Sequence, residues 1–143
     1  MYDLIGDIHG HASALEKLLS RMGYEEGDGV WRHPDRQVIF LGDFVDRGPE
    51  QVETVRIAKV MVEAGAALAV MGNHEFNAVA WATPDPDIAG AYLRPHSGKN
   101  RSQHKEYLDQ VGEGSDLHHE HIEWFRTLPL YLDLEGLRVV HAC

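Results

Sequence analysis

The chain contains a single cysteine, Cys143, and no CxxC pair. That excludes an internal disulfide framework, a thiolate zinc site and dithiol redox chemistry, and it fits a reducing compartment. Cations are scarce too. Thirteen Lys and Arg stand against twenty-three Asp and Glu, a net charge of −10, which argues against general affinity for nucleic-acid backbones or anionic membrane surfaces. Long hydrophobic runs are missing. The most apolar stretch, residues 64–71, is far too short to span a bilayer, and the opening MYDLIGDIHG lacks a basic stretch leading into an apolar one. A cytoplasmic protein is therefore expected.

Familiar enzyme signatures also fail. His74-Glu75 is followed at position 78 by Ala78, not by the second histidine of HExxH. Gly98-Lys99 has Leu93 and Asn100 where a P-loop needs Gly and Ser or Thr, and no GxSxG elbow occurs. What remains is a chain of 143 residues, enough to bury about two thirds of its unfolded surface around one core. A single domain over 1–143 is expected.

Apolar runs and punctuation alternate in a recognisable order. Residues 2–6 read as a buried strand. After His11 the period becomes helical through Leu15, Leu18, Leu19 and Met22, with Ser13 and Glu16 at capping-box spacing and Gly23 as a stop. Gly27, Gly29 and Pro34 mark a surface excursion before the strand VIFL at 38–41. A helix from about Pro49 to Ala64 and a strand at 66–71 follow. Strand, helix, strand, helix, strand predicts a parallel sheet with right-handed crossovers. From 83 to 114 the pattern dissolves, apart from a short helical piece at 104–111. Helical spacing resumes at 122–128, and two strands, 130–134 and 137–140, meet at Glu135-Gly136.

Four short motifs, GDIHG, GDFVDRG, GNHE and VVHAC, each follow an apolar run. In open α/β sheets ligands bind outside the carboxyl ends of the strands, so motifs at those ends describe a single site. Asp7 and His9 offer a carboxylate and an imidazole to one divalent cation. Alone, Asp7 reads equally well as a helix cap. Asp43 ends the neighbouring strand, and its two oxygens can bridge one cation to another. Asp46 and Arg47 add a second carboxylate and a guanidinium fork suited to phosphate, or else a plain surface ion pair. Asn73, singly a helix N-cap, becomes a metal ligand in this company. His74, oriented by a carboxylate such as Asp46, is left free as a general acid. His141 completes the set from the last strand.

Two other groups draw attention. Asp116, His118, His119, Glu120 and His121 read as a solvated helix start, with a metal cluster as the alternative. Tyr92, Arg94, His96, Lys99, Arg101, His104 and Lys105 form a locally basic stretch, either a reader of the non-phosphate part of a substrate or a mobile loop.

The joint set of GDxHG, GDxxDRG and GNHE signatures resembles the calcineurin-like metallophosphoesterases, specifically the phosphoprotein phosphatase branch. Among bacterial members it is similar to the group related to lambda phosphatase and to symmetrical diadenosine tetraphosphate hydrolases. The resemblance implies an α/β fold of two mixed sheets packed together and flanked by helices, of which this chain supplies the first sheet and part of the second. It implies metal-dependent hydrolysis of phosphate esters by a dinuclear centre. Asp7 and His9 would serve the first metal, Asp43 the bridge, and Asn73 and His141 the second. Catalysis would fall to His74, Asp46 and Arg47. Two divalent ions are implied, manganese first, with iron, zinc or nickel as alternatives. The substrate would be a small phosphoester, a dinucleoside polyphosphate or a phosphoprotein.

A later histidine and a later arginine of the family pattern have no counterpart before Cys143. Truncation of the domain is expected on that ground. So are an impaired metal- or phosphate-binding fragment as the rival function, and self-association through apolar surface exposed near residues 130–140.

Overall fold

The computed structural model describes residues 1–142. Its centre is a parallel sheet of β1 (Tyr2–Ile5), β4 (Gln37–Phe40) and β5 (Ala67–Ala69), with β4 in the middle. The crossovers carry α1 (Ala12–Arg21) and α2 (Gln51–Glu63), in the order expected from the sequence. Period two decides which residue meets which layer. Val38, Phe40, Ala67 and Ala69 point into the main core with Ile57, Met61 and Phe44, whereas Ile39 and Val70 point to the opposite face. There they meet Val139, Leu132, Leu134 and Leu137 from the antiparallel hairpin of β6 (Tyr131–Leu134) and β7 (Leu137–Val140). Phe40 is fully buried, which contributes about 1.5–3 kcal/mol. The second sheet of the expected architecture is represented here by this hairpin.

Several local expectations change. Ser13 does not cap α1; its amide and hydroxyl donate to the Glu50 carboxylate at 3.1 and 2.7 Å, tying α1 to the start of α2. The excursion after Gly23 is a small hairpin, β2 (Glu25–Gly27) with β3 (Val30–Arg32). The dissolved stretch contains α4 (Gly98–Val111), which begins six residues before the piece read from the sequence, because Ser97 accepts a hydrogen bond from the Asn100 amide and starts the helix early. Likewise α5 (Asp116–Thr127) starts at the Ser115 cap. Within α5, His118 and His121 are buried against Tyr107, so they are core residues and not a solvated helix start. Between β5 and α4, α3 (Asn73–Ala82) begins at the edge where β1 and β4 also end.

Leu4, Leu130, Tyr131 and Val140 are exposed apolar side chains on the hairpin side of the molecule.

Candidate metal and phosphate site

The turns after β1 and β4 share an uncommon backbone. Among the described residues, six non-glycine residues have positive φ, and five of them are Asp7 (55°), His9 (46°), Asp43 (59°), Asp46 (72°) and Arg47 (78°). Left-handed backbone at a non-glycine residue costs on the order of 1–3 kcal/mol and persists only where surroundings over-determine it. Here the surroundings do. The His9 and Gly10 amides donate to the carbonyls of Asp43 and Phe44 at 2.9 and 2.8 Å, and the Gly48 amide donates to the His9 carbonyl at 2.8 Å, lacing the two turns together. Close approach matters at Gly72, where an added Cβ would run into the Asp43 carboxylate and backbone.

Glu75 holds the third turn in place. Fully buried, its carboxylate accepts from the amides of Asp43 (2.7 Å), Phe44 (2.9 Å), Val45 (3.4 Å) and Gly72 (3.1 Å). Burial pushes it up to about 7, against the pull of those amides. Gln51, also fully buried, accepts from the Asp46 amide at 2.7 Å and donates to the Gly48 carbonyl at 3.0 Å. From the sequence, neither residue has an assigned role: Gln51 lies outside the motifs, and Glu75, the last residue of GNHE, sits at the third position of α3, where an acid can reach back over a helix start.

Each imidazole at the site is fixed through Nδ1. His9 Nδ1 donates to the Val45 carbonyl at 2.8 Å, and His141 Nδ1 donates to the Leu41 carbonyl at 2.6 Å. His74 Nδ1 donates to Asp46 Oδ2 at 2.6 Å. An imidazole anchored in this way presents Nε2, which is how ligating histidines are oriented. The Nε2 atoms of His9 and His141 lie 3.8 and 3.2 Å from Asp43 Oδ2, and His141 Nε2 is 3.0 Å from Asn73 Oδ1. Two donor groups, each within 4.8 Å internally, result: His9, Asp43 and His74, and Asp7, Asp43 and His141. Mixed imidazole and carboxylate donors suit manganese, iron or zinc. The residues present therefore fit divalent cations, and divalent metals are what the family uses.

The eight residues singled out from the sequence thus lie together, with two qualifications. Asp7 clusters with Asp43 and His141 and not with His9. Arg47 is exposed at the mouth of the site, where it lines a cleft of about 490 Å³ with His74, Asn77, Arg94, Gln103 and His104. Of the basic stretch, Arg94 and His104 reach that cleft, whereas His96 stacks on Trp81 and Tyr92 at ring separations of 3.7 and 4.0 Å.

Asp46 stands apart from Asp43. Burial acts most strongly on it and pushes its carboxyl up, but hydrogen bonds from His104 and His74, with their charges, outweigh burial and hold it below the usual range. In return the bond to Asp46 raises His74 above the ordinary imidazole value against the effect of burial.

The sequence profile of calcineurin-like phosphoesterases matches residues 2–141. The Oceanobacillus iheyensis protein named bis(5'-nucleosyl)-tetraphosphatase PrpE [asymmetrical] is 30% identical over 141 residues, covering 98% of this chain and 54% of its own length. Its Bacillus subtilis namesake is 40% identical over 144 residues, covering 99% of this chain and 57% of its own. The chain thus spans about half the length of the curated relatives it matches. The resemblance drawn from the motifs is to symmetrical hydrolases; these relatives carry the opposite qualifier. Among solved structures, a Sphaerobacter thermophilus metallophosphoesterase superposes with a TM-score of 0.53 at 22% identity, over 93% of this chain and 42% of that one. A yeast protein serine/threonine phosphatase superposes with 0.56 at 19%, over 91% and 33%. Both share the fold.

Proposed function

The chain belongs to the calcineurin-like phosphoesterase family, and from that premise we propose that it carries the core of a metal-dependent hydrolase of phosphate esters or anhydrides with a dinuclear centre. The observation that carries the proposal is Asp43, whose carboxylate is common to both donor groups. Asp7, His9, Asp43, Asn73 and His141 would hold two divalent cations, manganese first, with iron, zinc or nickel also suited to the donors. When bound, such ions supply a water of lowered pKa and neutralise charge on the phosphoryl oxygens.

The remaining chemistry belongs to side chains. Arg47, on a turn whose backbone is fixed by Gln51, reaches into the cleft with a planar fork for two phosphoryl oxygens. His74, anchored by Asp46 through Nδ1, has Nε2 free to give a proton to the departing oxygen. The hydrogen bond to Asp46 raises the His74 pKa above the ordinary imidazole value, which favours the protonated form a proton donor needs. No side chain needs to form a covalent bond to phosphorus.

For substrate we propose a dinucleoside polyphosphate ahead of small phosphomonoesters and phosphoproteins. The names of the relatives support this, as does a cleft that sets Arg94, Asn77 and Gln103 beyond the phosphoryl position. General nucleic-acid binding is left out because of the net charge of −10. Among the described residues no helix is long and apolar enough to cross a membrane; a cytoplasmic location is part of the proposal. Self-association through Leu130, Tyr131 and Val140, all exposed, is part of it too, and a strictly monomeric light-scattering profile at high concentration removes that part.

The test is hydrolysis of diadenosine tetraphosphate and p-nitrophenyl phosphate by the full-length protein with added manganese, with Asp43→Asn as control. Equal rates for the two proteins end the proposal. Because the chain covers about half of its relatives, a rival reading makes these 143 residues alone a metal- or phosphate-binding fragment. Calorimetric manganese binding by the isolated span without turnover supports the rival for the span, while turnover removes it.

A further inference from the structure

Asp46 has a second partner that none of the strand-end motifs contains. His104, on α4, is buried and places Nδ1 2.6 Å from Asp46 Oδ1, while Oδ2 receives His74 at the same distance. Both carboxylate oxygens are thereby engaged by imidazoles from different helices. The His104 ring is held between Tyr107, stacked at 5.1 Å, and the edge of Trp81 at 5.9 Å. Its other nitrogen, Nε2, is buried without a hydrogen-bond partner. An orphaned buried polar nitrogen is a cost that a phenylalanine of similar shape would avoid, so packing alone does not account for an imidazole here. The Nδ1 bond to Asp46 does.

We infer that His104 is a positioning residue for the proton donor: by occupying Asp46 Oδ1 it stops the carboxylate from rotating, so that Oδ2 stays aimed at His74 Nδ1 and His74 Nε2 stays aimed into the cleft. Asp46 hangs on a turn of positive φ and has no other side-chain restraint on its carboxylate among the described residues. Without His104 the carboxylate is free to swing and to take water at Oδ1. His104 belongs to neither donor group around Asp43, so its effect should fall on proton delivery. This rests on the reading of His74 as the proton donor, and it extends the constellation to a chain of three, His104, Asp46 and His74.

The experiment compares His104→Phe, His104→Asn and His104→Gln in the full-length manganese-loaded protein on two monoesters, p-nitrophenyl phosphate and an alkyl phosphate. The alkoxide of the second needs a proton to leave; the nitrophenolate does not. For the alkyl phosphate, kcat in the Phe variant should fall about 10- to 100-fold with KM unchanged, and the nitrophenyl rate should hardly move. Asn places an amide N–H where Nδ1 stood and should restore most of the loss; Gln places its amide near Nε2 and should not. Equal losses on both substrates, equal behaviour of Asn and Gln, or an undiminished alkyl rate in the Phe variant overturns the inference. A readout independent of turnover is the low-field imidazole N–H resonance of His74 in ¹⁵N-labelled protein without metal. It should shift or broaden in the Phe variant and return in the Asn variant. An unchanged resonance overturns the inference even if the wild-type protein hydrolyses neither ester, an outcome that by itself would remove only the hydrolase reading.

Discussion

Asp43 and Asp46 lie three residues apart on one turn, both buried and both in left-handed backbone, yet their surroundings are opposite. Around Asp46 every oxygen is spoken for, each by an imidazole at 2.6 Å. Around Asp43, Oδ1 receives only the His74 backbone amide at 3.1 Å, and Oδ2 faces the Nε2 atoms of His9 and His141. Those two imidazoles are already anchored through Nδ1. One carboxylate is closed, an internal bracket for a side chain. The other is open: its remaining acceptor capacity faces two imidazole Nε2 atoms anchored from behind, a donor set suited to a divalent cation. On the proposed function, two aspartates of one motif would carry different tasks because of what each is bonded to.

The comparison can be broken most severely at the open carboxylate. Asp43→Asn should abolish turnover and weaken manganese binding by more than the ~10–100-fold that loss of an outer hydrogen-bond partner costs, read by calorimetry. Asp46→Asn should instead leave manganese binding within a few-fold while lowering kcat by roughly 10²–10⁴, the usual range for general acid catalysis. If both substitutions weakened metal binding alike, the division of labour would be wrong.

A smaller effect separates the site from its frame. Glu75→Gln keeps one carbonyl oxygen for the four amides now held by two carboxylate oxygens. It should cost about 1–3 kcal/mol of stability, seen as a lowered Tm that manganese partly restores.

The smallest expected effect lies outside the site. His121, buried and accepting the Tyr107 hydroxyl at 3.0 Å, is pushed down to about 4 by burial. Its folded pKa is below the unfolded value near 6.5, so the unfolded chain binds more protons between those two values. Stability should be fully present above pH 6.5 and fall as pH drops toward 4, and His121→Gln should flatten that slope in urea titrations at pH 7 and pH 5. An unchanged slope would place the acid sensitivity elsewhere.

Much of this was legible in the sequence, for a physical reason. The three parallel strands are short apolar runs closed by glycine, and their ends carry Asp, Asn and His; composition and order suffice to bring Asp7, Asp43 and Asn73 to one edge, whereas His141 follows β7 of the separate antiparallel hairpin and not a fourth strand of that sheet, because the apolar face of the hairpin packs on the sheet instead of extending it. Glu75 was harder, since an acid in a first helical turn usually faces water and favours the helix dipole. The acceptor role of Glu75 depends on three turns meeting. His104 shares the apolar stripe of Tyr107, Leu108 and Val111, at helical spacing, so its burial is readable in principle. Its partner is not, because 58 residues separate it from Asp46 and no local pattern encodes that contact. The Ser97 and Ser115 caps were equally easy to miss inside a stretch of Pro, Gly and charge.

Electron paramagnetic resonance of the manganese-loaded, full-length protein tests the shared role of Asp43 most directly. Two cations held side by side by one carboxylate should give a spin-coupled dimanganese spectrum at two equivalents, replaced in Asp43→Asn by the signal of isolated manganese. An isolated-ion signal in the wild-type protein at saturation, unchanged by the substitution, would contradict the account.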